Sequence, residues 1–284
     1  MGLRRLIQVI IAVLMIGTSL VSCDNTIVSD NDPEVSLSAS ELGEKIKYIV
    51  HGAGKLSGVN LYGESKFFNV SNSAEGLKQC KEAGIDFIEL DFNYTSDGRI
   101  VCIHDWFPSY SDDIEYEGDK LSYDEFVKTK IYRQYTPVTL ENVMEYLEEN
   151  ENVYIITDFK NDNVAGLEYI ASHYPGKLSR FIAQIYSEDE YDKVVKLGYK
   201  YIIYTLYRLS WAEKTDYDHL KAFAEEHELV GLTFSYELCD VEGFMNGIKD
   251  AGTALFVHTV DDPELQKKYF DMGISGLYTN EVIK

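Results

Sequence analysis

The stretch Gly84–Asp105, "GIDFIELDFNYTSDGRIVCIHD", decides how the chain is read. "DFIELD" (86–91) is a strand-forming run interrupted by Glu89 and Asp91, which the period of two puts on one face. "RIVCIH" (99–104) is a second such run and ends on His104. Residues 92–99 are too few for a parallel crossover, whereas Asp97-Gly98 is a strong hairpin signal. The segment therefore reads as an antiparallel hairpin. Pairing Ser96 with Arg99 across the turn opposes Asp91 to His104, and directly opposed residues share a face. Buried charge is costly unless something pairs with it, so two acids and a histidine in one place demand a partner.

Further runs rich in Ile, Val, Tyr and Phe stand at 47–51, 153–158, 180–185, 201–206, 229–234, 253–258 and 276–279. Helical spacing fills 73–84, 139–150, 188–198, 218–228 and 242–252, several of which end in Gly or Asn. Three residues after Thr139 stands Asn142, not Glu or Gln, so no capping box is expected there. Strands alternating with helices indicate parallel βα units. With 99–104 set aside as the hairpin return, eight strands remain, and the expected fold is an α/β (β/α)8 barrel over 41–284.

The chain opens with two arginines, an apolar run from Leu6 to about Leu20 and small residues leading to Cys23. This is the pattern of a secretory signal, too short for a comfortable spanning helix. "LVSC" resembles the lipobox of bacterial lipoproteins, which implies a signal at 1–22, a lipid on Cys23 and an extracytoplasmic, membrane-tethered protein. Residues 24–40 are polar, acidic and poor in large apolar side chains, and read as a flexible tether. The net charge of −22 becomes more negative by two once Arg4 and Arg5 are removed. Such a surface repels nucleic acid, and an anionic substrate would need local cations or a metal. Cys80, Cys102 and Cys239 are odd in number and widely spaced, so they read as buried thiols rather than a disulfide framework or zinc site.

Barrel sites gather at the carboxyl ends of the strands. There stand His51, Glu89 with Asp91, Asp158 with Lys160, Gln184, Arg208 and His258. Three carboxylates from two strands suit one hard divalent cation, Mg2+ or Ca2+, with substrate oxygens completing its shell. Two histidines nearby suit a general acid–base pair. An alternative use of paired carboxylates, glycoside hydrolysis, needs neither the histidines nor Lys160.

These residues carry a resemblance to the glycerophosphodiester phosphodiesterase family, related to phosphatidylinositol-type phospholipases C, over nearly all of the mature domain. The motifs are His51-Gly52, "IELDFNYTSDGRIVCIHD" (88–105), "DFK" (158–160) and "GISGLYTN" (273–280). The resemblance implies that His51 and His104 act as acid and base, that Glu89, Asp91 and Asp158 hold the metal, and that Lys160 contacts phosphate. It also implies that the aromatic segment opening at Trp106 and running to Pro137 shapes the pocket for a small phosphodiester or a lipid. Two departures stand out. The family's His-Arg-Gly is here "HGAG", so a phosphate-binding arginine is missing, and Arg208 is the candidate replacement. Its Glu-x-Lys is here Asp-x-Lys, as in sphingomyelinase D-like relatives. In "FVHTVDD", His258 stands where the family carries tryptophan. A lipid-acting phospholipase and a non-catalytic binding lipoprotein on the same barrel are the competing readings.

Overall fold

The computed structural model describes residues 37–60, 62–106 and 120–284. Its strands in chain order are β1 (Tyr48–Val50), β2 (Leu56–Val59), β3 (Ser65–Phe68), β4 (Phe87–Tyr94), β5 (Ile100–Cys102) and β6 (Val138–Thr139), followed by β7 (Tyr154–Phe159), β8 (Phe181–Ile185), β9 (Tyr201–Thr205), β10 (Gly231–Ser235), β11 (Ala254–His258) and β12 (Gly276–Thr279). Eight of them, β1, β4 and β7 to β12, run parallel, and β1 closes the barrel by pairing with β12 (Tyr48↔Leu277) and β4 (Val50↔Ile88). The expected (β/α)8 architecture is therefore the observed one, with helices outside.

Alternation along the strands sorts side chains into two cores. Ile88, Leu90, Ile155, Ile202, Leu232 and Val257 face the helices. Ile49, Ile156, Ile182, Ile203, Phe256 and Tyr278 fill the barrel interior together with Ala39, Leu42 and Ile46. Those last three residues belong to the helix Ala39–Lys45 and the residue that follows it. Ser38 caps this helix reciprocally with Glu41. The helix plugs the amino end of the barrel with apolar side chains, so the tether read through Ser40 ends earlier and residues 37–40 are folded. The signal segment, Cys23 and residues 24–36 lie outside the described residues. Among those described, no helix is long and apolar enough to cross a membrane.

The hairpin is antiparallel as expected, but its register is one residue shorter. Phe92 pairs with Cys102 and Tyr94 with Ile100, so Asp91 lies level with Ile103 rather than His104. The cause is the turn. Thr95 and Arg99 pair around three residues, Gly98 N–H returns to Thr95 O at 3.0 Å, and Gly98 takes the left-handed conformation (φ +79°) that closes a three-residue loop. Thr139 and Asn142 also depart from expectation: Asn142 Oδ1 accepts from Thr139 N at 3.1 Å and Thr139 Oγ1 accepts from Asn142 N at 3.4 Å. An amide oxygen thus serves where Glu or Gln is usual. The β2–β3 hairpin and the helices Asn163–His173 and Pro263–Asp271 were not anticipated by the periodicity. Cys80, Cys102 and Cys239 are free and buried, as read.

The barrel floor makes a direct test. Leu42 is 1% exposed, and Leu42→Ala should cost about 2–4 kcal/mol in urea unfolding. A loss below about 0.5 kcal/mol would mean the helix does not close the core.

Candidate active site

One step of two residues toward the carboxyl ends turns the interior from apolar to polar. Ile156 is followed by Asp158, Ile182 by Gln184, Ile203 by Thr205, Phe256 by His258, and Ile49 by His51. Glu89 and Asp91 stand on the corresponding face of β4, where Asp91 is level with Asp158 of β7. A small cavity of about 60 Å³ opens here, lined by His51, Glu89, Asp158, Gln184, Tyr207 and His258, with Thr205 and Tyr278. One oxygen from each of Glu89, Asp91 and Asp158 lies within 4.8 Å of the others, a donor set suited to a hard divalent cation.

The neighbours of the acids explain how three carboxylates share this space. Gly52 N–H donates to Glu89 Oε2 at 2.7 Å. Asn72 Nδ2 donates to Asp91 Oδ2 at 2.6 Å, while its Oδ1 accepts from Asp91 N at 3.1 Å. The buried Tyr186 hydroxyl donates to Asp158 Oδ1. Lys160 pairs with Asp91 and, at 2.8 Å, with Asp158. Asp91 Oδ1 is fully buried, has no well-formed hydrogen bond among the described residues and pairs with that ammonium. An oxygen of this kind fits a cation ligand. Burial, with Asp91 and Asp158 adding repulsion, pushes the Glu89 carboxyl well above its ordinary range. For Asp91, burial also acts upward, but Lys160, His104 and His51 outweigh it and the net shift is downward.

His51 and His104 are each oriented by an oxygen. His51 Nδ1 lies 3.0 Å from Asn280 Oδ1. Asn280 Nδ2 donates to Asp261 Oδ2 at 2.8 Å, which turns the amide oxygen toward His51. His51 Nδ1 therefore carries the proton, and Nε2, 3.9 Å from Glu89 Oε2, is the ring nitrogen directed at the acids. His104 Nδ1 contacts Asp105 Oδ2 at 2.5 Å. Although the register does not oppose it to Asp91, His104 lies past the end of β5 and remains close enough for its charge to favour ionised Asp91.

Arg208 follows β9 and lies over the Tyr186 ring, its guanidinium carbon 3.6 Å from the ring centre, with Nη2 donating to Phe159 O at 3.4 Å. Tyr186 in turn bonds Asp158, which puts Arg208 at the rim of the site. Gly52 has φ +52°, and a Cβ there would lie 2.3 Å from Val70 Cγ1. An arginine at 52 would require a different loop, which accounts physically for "HGAG". Trp106 is 6% exposed and packs edge-on against Phe126 at 5.8 Å, in an apolar cluster with Val101 and Ile103, and is not among the residues that line this cavity. Residues 107–119 of the same aromatic segment lie outside the described residues. Tyr186, Thr205 and Asn280 went unnoticed in the sequence, yet the interior period of two reaches all three. Asn72 and Asp261 come from loops, and no periodic signal marks them.

A closed parallel barrel with an acidic triad and histidines at its carboxyl end has the layout of a (β/α)8 enzyme site. The profile of the glycerophosphoryl diester phosphodiesterase family matches residues 62–284, and the chain belongs to that family. It is 27% identical over 222 residues, 69% of this chain and 73% of the relative, to the glycerophosphodiester phosphodiesterase of Bacillus subtilis. Among solved structures it is similar to a glycerophosphodiester phosphodiesterase from Thermotoga maritima (TM-score 0.61, 19% identity, 84% of this chain and 95% of that one). It is also similar to a phosphodiesterase from Oleispira antarctica in complex with its product sn-glycerol-3-phosphate (TM-score 0.57, 19% identity, 82% and 92% covered). Family membership makes the chain a phosphoric diester hydrolase.

The opposite shifts of the acids give a signed test. Glu89, raised in the fold, stabilises it below the ordinary carboxylate range, and this contribution is lost as pH rises through the raised value. Asp91, lowered in the fold, stabilises it above that range and loses its contribution as pH falls. In the presence of chelator, Tm should therefore fall as pH is raised from about 5 to 8, and Glu89→Gln should flatten that fall. An unchanged slope in the variant would show that Glu89 holds no proton.

Proposed function

We propose that the chain is a cation-dependent phosphodiesterase acting on glycerophosphodiesters or closely related diesters, with His51 and His104 as its acid–base pair. The convergence of Glu89, Asp91 and Asp158 within 4.8 Å carries this reading, and the family's chemistry and the two oriented histidines support it. The triad would hold one divalent cation, Mg2+ or Ca2+, which when bound polarises a phosphoryl oxygen and offsets developing negative charge. Lys160, with Asp91 and Asp158 on either side, supplies positive charge next to that position. Arg208, stacked on Tyr186, supplies the planar fork that the absent arginine would have given. His51, protonated at Nδ1 by its bond to Asn280, presents Nε2 as the group that takes or returns a proton. His104, oriented through Nδ1 by Asp105, carries out the complementary transfer. The nucleophile is water or a neighbouring substrate hydroxyl; the latter leaves a cyclic phosphate. We further propose that the chain is exported and tethered through a lipid on Cys23, a reading that rests on "LVSC" and the run before it.

Phosphorus NMR on the soluble chain from Asp24, supplied with glycerophosphodiesters and then with chelator, tests the activity. A cation-dependent phosphomonoester or cyclic phosphate should form, and His51→Ala should lower kcat at least about 100-fold. Turnover that survives both chelator and the substitution would refute the mechanism. Arg208→Ala should cost about 1.5–3 kcal/mol in kcat/KM if it grips phosphate. A change within about twofold would remove it from the site.

A further inference from the structure

His258 ends β11 and lines the same cavity as His51, Glu89 and Asp158, yet its chemistry differs from theirs. Its Nε2 is shut off from solvent and, among the described residues, has no hydrogen-bond partner. Tyr207 and Tyr278 flank the imidazole edge-on, with ring centres at 6.1 and 6.2 Å, and fix its aim. Burial, assisted by the charge of His51, pushes its pKa down to about 4, so the ring is neutral at physiological pH. The side chains around it, Gln184, Thr205 and Tyr278, are also polar and uncharged.

The cavity therefore has two halves. His51, Glu89 and Asp158, from the neighbouring strands β1, β4 and β7, line one side, where phosphate and a cation belong. The His258 side offers hydrogen bonds without charge. A buried polar atom left unpaired costs free energy, and a ligand group that pairs with it gains what an isostere without that group cannot. An anion is matched poorly by a neutral ring, and an apolar group would leave Nε2 unpaired. A hydroxyl matches in either sense, because it can both donate and accept.

We propose that His258 is the specificity residue of this pocket, its Nε2 hydrogen-bonding a hydroxyl on the alcohol portion of the diester and so selecting polyol-bearing substrates such as glyceryl diesters over their deoxy equivalents. The inference rests on the phosphodiesterase reading for its substrate and extends it to a residue and a chemical group.

The experiment compares a glyceryl and a propyl phosphodiester with the same leaving alcohol, using the chain from Asp24 and its His258→Phe and His258→Gln variants. The unsubstituted chain should favour the glyceryl diester in kcat/KM by about 10–100-fold, the range of one buried hydrogen bond. His258→Phe should abolish that preference by slowing the glyceryl diester while leaving the propyl diester within about threefold, and His258→Gln should keep part of it. Equal slowing of both substrates by His258→Phe would overturn the proposal, because a ring that merely packs, or that bonds only a fixed water, is blind to the substrate hydroxyl. Absence of any preference in the unsubstituted chain would overturn it without a variant. Calorimetric binding of sn-glycerol-3-phosphate against propyl phosphate separates this from the parent reading. A chain that hydrolyses neither diester but binds the glycerol compound about 10-fold more tightly keeps the specificity role and loses the proposed reaction. Equal or absent binding of both defeats the specificity role.

Discussion

Mutual repulsion among Glu89, Asp91 and Asp158 is the constraint that organises the mouth of this barrel. Three carboxylates in close quarters, two of them almost wholly buried, meet one ammonium, that of Lys160. One positive charge cannot neutralise three negative ones, and the fold responds in several ways. It spreads hydrogen-bond donors from Gly52, Asn72 and Tyr186 over the carboxylate oxygens. It also shifts the Glu89 carboxyl toward its protonated form and leaves Asp91 Oδ1 without a well-formed hydrogen bond. A cluster left in that condition is poised for a divalent ion, since buried charge is tolerated only where it is paired.

The rest of the fold makes such a cluster affordable. The barrel interior is apolar below, from Ile49, Ile156, Ile182, Ile203 and Phe256 to the plugging helix Ala39–Lys45, and polar above. The change occurs within a single period on each strand. A rigid apolar layer thus fixes the strands that present the acids, while the same pleat aims Gln184, Thr205 and His258 into the cavity. Gly52 adds a local requirement: its left-handed conformation against Val70 lets the backbone N–H reach Glu89 and excludes any side chain at that position.

Much of this was legible in the sequence, because strand periodicity and strand-end chemistry are local properties. Eight of the nine apolar runs form the barrel, and the ninth folds back as the hairpin expected from the spacing and Asp97-Gly98. His51, Glu89, Asp158, Gln184 and His258 meet in one cavity because each stands on the inward face at a strand end. The hairpin register was missed because Asp97-Gly98 is compatible with both a two-residue and a three-residue loop, and the Thr95–Arg99 pairing chose the longer one. Which way Trp106 faces was not legible, because an aromatic at a strand end carries no sign of its direction, and here Phe126 provides an apolar neighbour. The Asn280–Asp261 pair that orients His51 joins the end of β12 to the loop after β11, a contact that no local pattern encodes.

A cation between the three carboxylates is what the site most needs. Crystals of the chain from Asp24 grown with Mn2+, a hard divalent ion that scatters anomalously, measure its position directly. One strong anomalous peak is expected in contact with oxygens of Glu89, Asp91 and Asp158, with Lys160 no longer the sole positive charge between them. A well-ordered triad with no peak, or a peak held by other residues, would contradict it.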